Sequence, residues 1–124
     1  MGRNSLNTRR AIFAFSQGEK IKAGLIWTSH LIGALDSTYG GDRHETRQVG
    51  RALLEMVRQD VHLATRIAED QIWNKVDDAI ERALVMIDSG VMTESVTHLT
   101  TALSHVTTII QRAMQFLQEK GLLK

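Results

Sequence analysis

The sequence predicts an all-α protein: an up-and-down helical bundle of four main helices with a short extra N-terminal helix, forming a single domain over 1–124. Three observations predict it. The 124 residues contain no proline, the residue that most often marks turns and breaks. The chain is 43% apolar and 23% charged, a balance suited to burying a core. Its apolar residues recur at helical spacing in separate stretches divided by glycine- and serine-containing segments.

The clearest element is the last one. Met92, Val96, Leu99, Leu103, Val106, Ile110, Ala113 and Leu117 are spaced alternately four and three apart, with Ala102, Ile109 and Phe116 widening the stripe. That period predicts a helix over about 92–119 that packs on other helices at a shallow angle. Before it, Ile72, Val76, Ile80, Ala83 and Ile87 form a second stripe, stopped by Ser89-Gly90. The short turn makes these two helices antiparallel neighbours. Leu53, Val57, Val61, Ala64 and Ala68 define a third stripe, opened by Asp42 with Glu45 three positions later in the pattern of a capping box. Ser16 and Glu19 repeat that pattern ahead of Ile21, Leu25, Thr28, Ile32 and Leu35, which leaves residues 4–15, with Leu6, Ile12, Phe13 and Phe15, as the short extra helix. The segment from Asp36 to Asp42 reads as a loop.

One boundary is underdetermined. No glycine or proline occurs between Arg51 and Ser89, so nothing forces a break between the second and third main helices. A continuous helix there would reach about 70 Å and could bury its stripe only by dimerising. A break is expected instead near 70–74, with Asn74 and Asp77 as a possible restart.

Composition and motifs exclude several functions. There is no cysteine, hence no disulfide and no thiolate ligand or nucleophile. No apolar tract approaches the roughly 20 residues of a membrane span, and a cytoplasmic protein is expected. No phosphate-binding glycine loop and no nucleophile elbow occurs, so the expectation is a non-enzyme without cofactor. Glu94, His98 and His105 fall near one line of the last helix, but the two histidines lie two turns, about 10 Å, apart and do not make a metal site by themselves.

Two features point to binding. Between Glu94 and Arg112 the last helix carries no charged residue across 17 positions. Away from the seam it presents Thr97, His98, Thr101, Ser104, His105 and Thr108, where solvent-facing helical positions usually favour Glu, Lys, Gln or Arg. A neutral, hydroxyl-rich face predicts burial against another surface, and with Phe116 it is the candidate interface of a homodimer or small adaptor. The second feature is a basic stripe of Arg43, Arg47, Arg51 and Arg58, continued by His62. Residues 1–58 hold nine basic and five acidic side chains and residues 59–124 six and nine, so the net +1 averages a +4 half and a −3 half. Guanidinium groups in a row suit oxyanions, so the alternative expectation is an acidic protein partner, a phosphate ligand or nucleic acid. The stripe has no interleaved aromatic and the pI is about 8.2, which disfavours a dedicated nucleic-acid binder. Trp27 and Trp73 both sit within or beside apolar stripes, where packing is the expected role.

Overall fold

A computed structural model describes residues 7–68 and 70–123. Among these the chain forms four helices, α1 (Thr8–Tyr39), α2 (His44–Ala68), α3 (Gln71–Asp88) and α4 (Met92–Glu119), and no strand. Each helix packs on its neighbours in sequence, and α4 returns to pack along α1. Cross-helix contacts fix the directions. Lys20 meets Asp60 and Gly24 sits against Val57, while Arg58 meets Asp77 and Arg51 meets Asp88. In each pair of helices one number rises as the other falls, so α1, α2 and α3 are successively antiparallel. Gly18 against Ile110 and Gly41 against Met92 show the same for α1 and α4. No helix is long and apolar enough to cross a membrane, a search that covered the described residues.

α4 begins and ends where its 3.5-residue period begins and ends. Met92, Leu99, Ala102, Val106, Ile109, Ile110, Ala113 and Leu117 are buried along it. Ser95 is buried too, and its hydroxyl donates to the Met92 carbonyl at 2.6 Å. Gly90 supplies the turn before the helix with a φ of 82°, a left-handed conformation that side chains resist.

α1 corrects two expectations. There is no separate short helix over 4–15: residues 8–15 are the first turns of α1, and residues 4–6, with Leu6, lie outside the described residues. The cap is Asn7, whose side chain accepts from the Arg10 N–H at 2.9 Å, and not Ser16. Gly18 lies inside the helix, where Ile110 of α4 comes too close for any side chain. At the other end α1 runs through Asp36, Ser37 and Thr38 to Tyr39, so the loop is only 40–43. The Gly40 N–H closes the helix on the Asp36 carbonyl at 3.0 Å. α2 then opens at His44, after Asp42.

The break between α2 and α3 is real but earlier than the Asn74 restart. Asp70 is the cap, its side chain accepting from the Ile72 N–H at 3.0 Å. The buried stripe of α2 runs through Thr46, Gly50, Leu54, Val57, Val61 and Ala64, with Leu54 in the core where Leu53 was expected and Leu53 half-buried. The core includes Trp73, which is fully buried, with Ile21, Leu25, Ile32, Ile80, Ile87 and Leu99.

Candidate binding surface on the α1–α2 edge

The basic stripe lies along α2 where it meets α3, and much of it is used there. The Arg58 guanidinium forks onto Asp77, Nε to Oδ1 at 2.9 Å and Nη2 to Oδ2 at 3.3 Å, and reaches Glu81 at 2.6 Å. His62 Nε2 lies 2.9 Å from the same Asp77 oxygen. The hydrogen bond to Asp77 holds the Arg58 pKa above its ordinary value, against the opposing effect of burial. Its contribution is therefore fully present below the ordinary arginine pKa and disappears only in strong alkali, so Arg58 adds no pH dependence near neutrality. Arg51 bridges Asp88 and Glu55, and Arg47 donates to the Asp42 carbonyl at 3.1 Å. Arg47 and Arg51 line a hollow of about 400 Å³ with His44, Gln48 and Asp88, whose carboxylate already neutralises Arg51. Arg43 stands apart, exposed at the mouth of a different, apolar pocket.

This geometry makes the stripe a clamp between α2 and α3. Because the fork is more than three-quarters buried, replacing Arg58 with methionine should lower unfolding stability by about 1–2 kcal/mol, leaving Asp77 and Glu81 without the guanidinium between them. Lysine, which keeps the charge and loses the fork, should fall between. Urea midpoints of the two variants check this; an unchanged midpoint for Arg58→Met contradicts the clamp.

The neutral face of α4 points away from the core. Thr97, Thr101 and Ser104 are exposed, while His98, His105 and Thr108 are half-buried. Thr101 and Thr108 turn their hydroxyls back onto the carbonyls of Thr97 and Ser104 at 3.3 and 3.2 Å, and Thr100 and Thr107 do the same. The hydroxyls are thus satisfied within the helix. Phe116 is half-buried against the core, with the Lys120 ammonium 5.5 Å from its ring centre.

Sequence reasoning missed an apolar surface on the edge formed by α1 and α2. Going around α1 from Gly24, which faces Val57, the core residues Ile21, Leu25 and Thr28 lie to one side and Lys20, Trp27 and Leu31 to the other. Going around α2 from Val57, Leu54 and Val61 lie toward the core, and Val49, Met56 and Asp60 toward the outside. Both outer sets flank one seam. Trp27 and Met56 are each 67% exposed, and Leu31 and Val49 are exposed beside them. At the loop end of the seam Leu35, Tyr39, Arg43, Glu45, Thr46 and Val49 line a pocket of about 210 Å³ whose open surface is mostly apolar. Single exposed apolar residues are ordinary, but a tryptophan, a methionine, a leucine and a valine on one edge beside an apolar pocket form a patch. The signal available in the sequence was Trp27 itself, at a position one residue outside the core stripe.

The class defined by these features is a four-helix bundle with an apolar edge. No protein-family model, curated protein or solved structure matches the chain.

Proposed function

We propose that this bundle works by binding a protein surface and not by chemistry, and that the surface it binds is a second copy of itself. The observation that carries the reading is the exposure of Trp27 and Met56, each 67% open to solvent on the same edge. Tryptophan and methionine are enriched at interfaces, where one aromatic anchor often supplies much of the affinity. The edge is also large enough. α2 is 25 residues long, about 37 Å, and two adjacent helices span about 20 Å, which gives a footprint of about 740 Å². A standard interface occupies about 800 Å² per partner. The neutral α4 face is the weaker candidate, since Thr101 and Thr108 already bond to their own helix and His98, His105 and Thr108 are half-buried.

The test is the solution mass. Light scattering at tens of micromolar should give a dimer, twice the chain mass of 13.9 kDa. A monomer at that concentration removes the reading.

A further inference from the structure

Resting on that homodimer reading, we infer that Trp27 is a knob that fills the Leu35/Tyr39/Thr46/Val49 pocket of the second copy, in a reciprocal two-fold interface across the α1–α2 edge. The knob and the socket are on the same face of the same chain, the requirement for a self-complementary, closed dimer. Their sizes correspond. The pocket is about 210 Å³ with a mostly apolar surface, whereas an apolar cavity of about 150 Å³ holds a benzene ring, so an indole fits.

The spacing also corresponds. Trp27 and Leu35 are eight residues, about 12 Å, apart on α1, and Leu31 is midway between them. A two-fold axis lying in the interface and crossing the edge at Leu31 turns α1 end for end. It carries Trp27 of each copy onto Leu35 of the other and brings the two Leu31 side chains together on the axis. The antiparallel register of Lys20–Asp60 and Gly24–Val57 puts Val49 nearly level with Leu31, so the exposed Val49 side chains meet there as well.

Charge fits the same operation. The axis carries Asp60, near one end of the edge, to within a long side chain's reach of Arg43 at the other end of the second copy's α2. Arg43 makes no ion pair within its own chain among the described residues, and Asp60 pairs only through the exposed Lys20. Each copy thus offers a carboxylate at one end and a guanidinium at the other, and the end-for-end rotation opposes them twice.

The experiment is a complementation by sedimentation equilibrium. Trp27→Ala removes the knob and leaves the pocket; Tyr39→Glu puts a carboxylate into the pocket wall away from the axis and leaves the knob. Both positions are exposed, and circular dichroism melts should stay at the wild-type value. Each variant alone retains no knob in a pocket, and its dimer dissociation constant should rise at least about a hundredfold. An equimolar mixture restores one knob in one pocket and should dimerise at least about tenfold more tightly than either variant alone. A wild-type dimer whose mixed variants associate no better than the separate ones overturns the knob-and-pocket geometry and leaves the homodimer standing. A monomeric wild type overturns both.

Discussion

Replacing Trp73 with alanine should destabilise the protein by about 3–5 kcal/mol, a large share of the roughly 6–18 kcal/mol expected for a domain of this length. Trp73 is fully buried in the first turn of α3, and it closes the end of the bundle where α2 hands over to α3. No other buried side chain is as large, so its removal leaves the largest cavity the core can suffer. Phenylalanine should cost far less, about 1–2 kcal/mol. The buried indole Nε1 has no hydrogen-bond partner among the described residues, so the smaller ring gives up area but no hydrogen bond. Denaturant midpoints of the two variants check the difference. Equal losses would contradict an indole N–H without a partner, and a small loss for Trp73→Ala would mean that the site collapses around the cavity.

Gly18→Leu should destabilise by about 3 kcal/mol, against the direction that helix propensity alone predicts. A glycine within a helix normally costs about 1 kcal/mol relative to alanine, so an ordinary replacement here would stabilise. A Cβ at Gly18, however, would sit 2.6 Å from Ile110 Cγ1 and 3.3 Å from its Cδ1. Cγ1 is an inner atom of a β-branched side chain whose rotamer is fixed in a helix, so it cannot swing aside. The strain passes to the spacing of α1 and α4. Shrinking the opposing side chain should relieve it: Gly18→Ala combined with Ile110→Ala should lose less than the sum of the two single losses. A neutral or stabilising Gly18→Leu would show that α1 and α4 do not approach at this point.

How much was legible follows from these positions. The limits of α4 could be read because its period is regular and Gly90 precedes it. Elsewhere local signals had more than one meaning. Ser16 and Glu19 have the residue types of a helix start, yet they lie inside α1, where Gly18 between them serves a close approach to Ile110 that no local pattern reveals. Leu53 and Leu54 are one helical step apart, and either continues the stripe until Val57 and Gly24 fix the rotation of α2. Asp70 and Asn74 are equally good caps by type, and the structure uses Asp70. The arginines formed a visible row, but the carboxylates that hold Arg58, from Asp77 and Glu81, lie on a different helix whose rotation the spacing could not supply.

The tryptophans carry the same lesson to the candidate site. Trp27 and Trp73 each border an apolar stripe, and periodicity assigns both a packing role. It cannot say whether the packing partner belongs to the same chain. Only the rotation of α1 against α2 puts Trp27 outside the seam, and only the packing of α3 buries Trp73. The charge-free stretch of α4, the strongest oddity in the sequence, is accommodated by threonine hydroxyls bonded to their own helix.

The most direct measurement is sedimentation equilibrium on three proteins side by side: wild type, Trp27→Ala and Thr101→Glu. Wild type and Thr101→Glu should both be dimers, because the α4 face is not the one in contact, and Trp27→Ala should be largely monomeric at the same concentration. A Trp27→Ala dimer beside a Thr101→Glu monomer would contradict the assignment of the interface to the α1–α2 edge, and a monomeric wild type would contradict it altogether.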